Sequence, residues 1–257
     1  NKSRKEARMP QQKFLAIFKT LMSRIEAGAY PVGQLLPSEN VLLAEFGCSR
    51  NTVRRAIAGL VRDGYVQTRQ GRGVSNIFQP IEPSSYKMGT IESFAETARR
   101  THQQASTRVV RFELCTADAA LARRTGFAPG TSLIYIQRVH CINGAAQIFN
   151  HNFFRASCTP GLTPEIAAGS IYRYLENTLG MSIVTSKRTI TVEKATALDR
   201  AWIDLGEYDC LAVMTSQTYN SEGILFEHTE SRHHPAIFRF QDNAVRPARR
   251  PDQDGGA

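Results

Sequence analysis

The chain has 257 residues, 42% of them hydrophobic, which is enough to bury a sizeable core and more than one average domain needs. Its net charge of +9 points to an anionic partner. Five cysteines (Cys48, Cys115, Cys141, Cys158, Cys210) at wide spacings, with no C-x-x-C pair, exclude a zinc ribbon or a disulfide framework, and no apolar run reaches membrane-spanning length. The plain reading is a protein of the reduced cytoplasm, without cofactor or membrane partner.

The charge is unevenly placed. Residues 1–78 hold 13 Lys+Arg against 5 Asp+Glu, a balance of +8, and the remaining 19 and 18 leave only +1 for residues 79–257. A basic module for a polyanion is joined to a near-neutral one. The opening "NKSRKEAR" reads as frayed. From Gln11 to Gly28, Phe14, Phe18, Leu21 and Ile25 recur at helical spacing, with Leu15 and Met22 beside them. "YPVGQLLPSE" is a turn, after which Ser38 caps a second helix that buries Leu42, Leu43 and Phe46 and ends at Gly47.

Only Gly47 and Cys48 separate that helix from the next cap, Ser49, and so tight a turn makes a helix-turn-helix. In the third helix Val53, Ile57 and Leu60 form the buried stripe. Asn51, Arg55 and Arg62 point away from it, with Arg50 and Arg54 on the flanks. The first residues of such a helix enter a DNA major groove, where arginine reads guanine or holds a phosphate. "YVQTR" and "VSNIF" flank Gln70-Gly71-Arg72-Gly73 as a hairpin, the wing, with Arg69 and Arg72 facing the same duplex. A solvated charged face accounts better for Arg24 and Arg62.

Residues 79–90, with two prolines, read as a linker. Beyond it "TRVVRFELC", "SLIYIQRVHC", "AQIFNHNFF", "TSKRTITVE", "CLAVMTSQTY" and "ILFEHTESR" read as strands, and Asn143-Gly144 is a tight-hairpin signal. "IESFAETA" and "SIYRYLENTLG" are helices that start at Ser93 and Ser170. Hairpins with interspersed helices predict an α+β domain around a mostly antiparallel sheet. His233 and His234 are adjacent, at no metal-binding spacing, and no nucleophile or phosphate-loop motif is present. Arg138 and His140 share one strand face. With the two helix starts they suit a phosphorylated small molecule. They fit equally well two serines that only cap and an arginine in an internal ion pair. The tail 246–257 has the composition of a disordered segment.

Leu36–Glu39, Ser49–Arg54 and Gln70–Gly73 match three parts of a pattern, Leu-Pro-Ser-Glu, Ser-Arg-x-Thr-Val-Arg and Gln-Gly-x-Gly. The first seventy-odd residues thus resemble the DNA-binding domain of GntR-type bacterial regulators. The resemblance implies operator contacts from Ser38, Glu39, Ser49, Arg50, Asn51, Thr52, Arg54, Arg69, Gln70, Gly71 and Arg72. Residues 91–245 resemble the UTRA sensor domain of the HutC branch, whose fold is similar to chorismate lyase. There Ser93-Phe94, Arg138-Val-His140 and Ser170-Ile171-Tyr172 stand at positions that line a phosphosugar site, with His140 where the family pattern carries a second arginine. "SIYRYLENTLGMSI" and "LFEHTESRHHPAIFRFQDNAVR" resemble the trehalose-operon group of that branch. This implies trehalose 6-phosphate as effector, with Asn150, Glu230 and Arg232 as candidates for sugar hydroxyls. The expectation is a homodimeric repressor on double-stranded operator DNA, with its DNA-binding domain at 9–78. The alternatives are a sensor for another phosphosugar or small anion, and a DNA-tethered enzyme.

Overall fold

Apolar residues three and four apart must share a helix face, and in the computed structural model they do. The structure describes residues 2–79, 85–87 and 90–241, with side chains for 13–79 and 90–240. Helix α1 (Lys2–Glu26) starts well before Gln11, because the lysines, arginines and alanine of the opening are good helix formers. Its buried centre is Ile17, Leu21 and Ile25, with Phe14, Phe18 and Met22 half-buried beside them. Helix α2 (Glu39–Phe46) is capped by Ser38, and α3 (Arg50–Arg62) by Ser49, whose side chain accepts from the Thr52 N–H. Gly47 between them adopts φ 53, the left-handed form that ends α2.

Helix α3 buries Val53, Ala56, Gly59 and Leu60 against α1. A Cβ on Gly59 would stand 3.0 Å from the Phe18 ring, so glycine sets how closely the two helices pack. Arg55 is exposed, as its spacing suggests, but it also has a partner. Its guanidinium lies 4.5 Å from the centroid of the Phe14 ring. Strands β1 (Val66–Arg69) and β2 (Gly73–Asn76) make the hairpin, and the turn before α2 runs along β2 through a Leu35–Ser75 bridge. The N-terminal unit is therefore a winged helix-turn-helix.

The second unit is built on six strands: β4 (Ala105–Thr116), β5 (Ser132–Ile142), β6 (Ala145–Arg155), β7 (Ile183–Lys194), β8 (Cys210–Asn220) and β9 (Leu225–His233). They lie in the order β4-β5-β6-β9-β8-β7 and every neighbouring pair is antiparallel. Asn143 (φ 51) and Gly144 (φ 85) close the β5–β6 hairpin in the doubly left-handed form that a two-residue turn needs. One face of the sheet packs against helices α6 (Pro164–Ala168) and α7 (Ile171–Asn177) through Ile136, Phe154, Leu175 and Phe226. The other packs Val139, Phe149, Leu211 and Val213 against Ile203 and Leu205, just after helix α8 (Ala197–Trp202). Helix α4 (Phe94–Arg100) starts with a capping box between Ser93 and Glu96, and α5 (Ala119–Thr125) is capped by Asp118.

The segment 79–90 is not wholly a linker. Ser85–Lys87 is a short strand, β3, paired in parallel with β10 (Arg239–Gln241). The tail 246–257 lies outside the described residues.

Candidate functional sites

In the winged helix the basic residues stand on exposed ground. Arg54 reaches from the second turn of α3 to Glu39, Nε to Oε1 at 3.0 Å, yet its side chain is 68% exposed. Arg50 donates to Asn40 at 3.4 Å, Ser49 and Thr52 share a 2.9 Å hydroxyl contact, and Ser38 accepts from the Val41 N–H. Asn51, Arg69, Gln70, Gly71 and Arg72 are exposed. The Arg72 N–H donates to Arg69 O, closing the wing turn, and Gly71 holds φ 70 at the position where such a turn requires a positive angle. A groove lined by Glu39, Arg54, Ile57, Ala58, Thr68 and Val74 runs between the helices and the hairpin, so Arg54 and the wing strands share one face. Arg62 salt-bridges its neighbour Asp63 at 2.8 Å.

In the second unit, the face of the sheet under α4 and α7 holds an open cavity of ≈ 840 Å³, open solvent at its mouth included. Side chains alternate along a strand, and the register decides which ones meet. Arg138, Asn150 and Ser231 stand in one row, and His140, Ile148 and His233 in the next. Ser93, Phe94, Arg138, His140, Asn150, Ser170 and Tyr172 all line the cavity. Glu230 and Arg232 do not. They follow the other parity of β9 and so lie on the opposite face, where Arg232 pairs with Asp199 at 2.7 Å and with Glu193 and Glu230 at 2.9 Å. That burial-driven ion cluster holds α8 to the sheet.

The cavity floor is a chain of polar contacts. Arg138 Nε donates to Asn152 Oδ1 at 2.9 Å, Asn152 Nδ2 to Thr229 Oγ1 at 2.7 Å, and Thr229 Oγ1 to Glu227 Oε1 at 2.8 Å. Tyr172 donates to the other Glu227 oxygen at 2.5 Å. Arg138 is not spent on an ion pair: its remaining hydrogen bond goes to Ala167 O at 3.5 Å. Burial pushes its guanidinium down to about 10, a value that still leaves it charged at neutral pH. Burial and the nearby Glu227 raise the Tyr172 phenol well above its ordinary value, so it stays a donor.

His140 is held differently from an arginine. Burial first, then Arg138 and His233, keep its imidazole well below the ordinary histidine value, so it is neutral. Asn150 Nδ2 donates to His140 Nε2 at 2.9 Å, which leaves Nδ1–H to donate to Thr107 Oγ1 at 2.8 Å. Phe94 lies over the ring at 4.2 Å. The Asn150 Oδ1 atom, buried in the cavity wall, has no partner among the described residues. A buried carbonyl oxygen without a donor is costly unless something entering the cavity supplies one. Both serines cap their helices, Ser93 through Glu96 and Ser170 through the Arg173 N–H.

Residues that sequence reading missed complete the wall. Glu92 is gripped by Arg100 at 2.9 Å, and Arg188 donates to Thr90 O at 2.9 Å. Glu227, Thr229 and His233 follow from Ser231 by strand alternation, once the β6–β9 register is known.

Residues 13–75 match the model of bacterial regulatory proteins of the gntR family, and residues 100–239 match the UTRA domain. The chain belongs to the GntR family of transcriptional regulators, with a UTRA domain. Among curated relatives it is 33% identical over 238 residues to the HTH-type transcriptional regulator TreR of Bacillus subtilis, covering 93% of this chain and 99% of that protein. The solved effector-binding domain of the B. subtilis trehalose repressor TreR is 32% identical, with a TM-score of 0.51 over 56% of this chain and 99% of that one. Possible transcriptional regulator YydK of B. subtilis superposes with a TM-score of 0.76 at 18% identity, over 91% of this chain and 99% of that one, which speaks to the fold alone. This GntR–UTRA chain is a regulator and not an enzyme, so the alternative of a DNA-tethered catalyst falls. Among the described residues, no helix is long and apolar enough to cross a membrane.

Proposed function

We propose that this regulator is a homodimeric repressor whose operator binding is relieved by a phosphorylated sugar, trehalose 6-phosphate foremost. The observation that carries the reading is the pairing of opposite needs in one cavity. Arg138 is a buried cation with no counter-ion bond, and Asn150 Oδ1 is a buried acceptor with no donor. A molecule with an anionic end and hydroxyl groups satisfies both. Glu227 and Thr229 add further acceptors for hydroxyls, and the likeness to TreR supports the choice of sugar. On DNA, two winged helices would read half-sites about 34 Å apart. Glu39, a carboxylate beside a phosphate backbone, acts there by aiming Arg54.

Release requires that the ligand bind the DNA-free state more tightly than the DNA-bound one, since equal affinity shifts nothing. Linkage then makes operator DNA weaken ligand binding by the same factor. Calorimetric titration with trehalose 6-phosphate, against trehalose and glucose 6-phosphate, tests the effector. Selective binding that saturating operator weakens is the expected result. Binding of a different phosphosugar would keep the sensor and replace its ligand. Ligand affinity indifferent to operator would overturn the allosteric reading.

A further inference from the structure

The charges that face the effector cavity can be counted. β5 brings Arg138 and His140, β7 brings Arg188, β9 brings Glu227 and His233, α7 brings Tyr172, and the turn before α4 brings Glu92. β4, β6 and β8 bring none. Glu92 is cancelled by Arg100, whose Nε and Nη2 lie 3.0 and 2.9 Å from its oxygens. Glu227 accepts on both oxygens, from Tyr172 and from Thr229, as a carboxylate does. Burial keeps the Tyr172 phenol and the His233 imidazole neutral. His140 is neutral by its geometry. The Asn150 amide N–H can only donate, so Nε2 carries a lone pair and no proton. Arg138 and Arg188 against Glu227 leave one net positive charge among the described residues.

A phosphate monoester in neutral water carries close to two negative charges, because its second ionisation lies at about pH 6. In this cavity the second of those charges has no cation to meet, and an unmatched buried charge is costly. Ser93 adds to the mismatch. Its hydroxyl and its N–H both donate to the Glu96 carboxylate, at 2.7 and 2.8 Å, so a negative charge already stands at the start of α4. The hydrogen bonds agree with the charge count. Arg138 uses Nε on Asn152 and Nη1 in one long contact with Ala167 O, which leaves N–H groups for a ligand. Asn150 stands directly opposite Arg138 across the β5–β6 ladder, and its Oδ1 has no donor among the described residues. Side chains so paired start about 5 Å apart, within reach of one phosphate and its hydrogen bonds. A doubly charged phosphate offers Asn150 only another acceptor. A singly charged one offers an O–H.

We propose that the cavity binds its phosphate as the monoanion, with the ionised oxygens on Arg138 and the remaining P–OH donating to Asn150 Oδ1. The inference rests on the phosphosugar reading and adds the ionisation state in which the ligand is recognised. Above pH 6 the free ester is mostly doubly charged, so binding draws a proton from the buffer. Affinity therefore rises as pH falls toward 6, and a fixed amount of effector fills the cavity more completely in acid.

The test uses the full chain with trehalose 6-phosphate and with glucose 6-phosphate. Calorimetry in two buffers of different ionisation heat counts protons. The expected result is close to one proton taken up per site at pH 7.5, and affinity about 25-fold higher at pH 5.5, the ratio of the monoanion fractions. Phosphorus NMR then places the proton. The bound resonance is expected at the monoanion position and unmoved between pH 5.5 and 7.5, while the free ester titrates. A bound resonance at the dianion position would overturn the proposal even with a proton taken up, since that proton would sit on the protein. Binding without uptake at pH 7.5 would overturn it too. His140→Arg supplies a second fixed cation and is expected to move the bound resonance to the dianion position and abolish the uptake. A variant that folds and still holds the monoanion would sink the charge count on which the proposal stands. If neither phosphosugar binds, the phosphosugar reading fails and takes this inference with it.

Discussion

Arg54 in the winged helix has a side chain 68% exposed and meets a carboxylate at 3.0 Å, whereas Arg138 in the sensor is 9% exposed and bonds only to neutral oxygens. An exposed charge acts over about a Debye length, roughly 8 Å at physiological salt, and is screened beyond it. It suits a polymer of phosphates met from many positions. A buried charge acts only on what enters its cavity, and there it acts strongly. In the proposed function the same side chain serves a polyanion in one unit and a single small molecule in the other, and burial decides which.

Arg138→Ala is the strongest attempt to break that contrast. It removes a charge-assisted contact of about 3 kcal/mol, so effector affinity should fall about a hundredfold in calorimetry while operator affinity stays as it was. An equal loss in both would end the division of labour. Arg54→Ala should do the reverse, costing about 1–3 kcal/mol of operator binding with no change in effector affinity. If Arg54 holds a phosphate, the slope of log K against log salt shrinks by about one per arginine; if it reads a base, the slope stays and one operator position loses its preference.

The third prediction concerns acid. Burial holds the His233 imidazole down at about 3 and, with Arg124, the His228 imidazole at about 4. Both are neutral when folded and take up a proton when unfolded below pH 6.5, so the unfolded state binds more protons between those values. The sensor is therefore most stable above pH 6.5 and loses stability as pH falls below it, by up to about 1.4 kcal/mol per pH unit per histidine. Urea unfolding at pH 7.5 and 5.5 measures the slope, and His228→Gln should flatten it. The smallest effect belongs to Gly71→Ala. Nothing lies within 4 Å of the added Cβ, so only the φ of 70 opposes it, at about 1 kcal/mol. A melt of the winged-helix transition unaffected by the change would mean that the wing turn relaxes freely.

The winged helix was legible because every signal in it is local: caps at Ser38 and Ser49, a glycine at 47, and a hairpin around Gly71. Half of the cavity was legible for the same reason, since Arg138 and His140 alternate within one strand. The remainder depends on register between strands far apart in sequence. Nothing local says that Asn150 faces Ser231, and without that row Glu230 and Arg232 look as eligible as Glu227 and Thr229. The β3–β10 pair escaped notice because three-residue strands have too little pattern to read and their partners lie about 150 positions apart.

That same pair bears on how such regulators arise. The strand that opens the sensor unit, Ser85–Lys87, is hydrogen-bonded to the one that closes it, Arg239–Gln241. A domain whose two ends lie side by side can be cut out and spliced elsewhere without tearing its core. The unit thus has its two ends placed for transfer as a block. Gene fusion can exchange its DNA-reading half, and the cavity, with its arginine and its unsatisfied amide, would travel intact to a new operator.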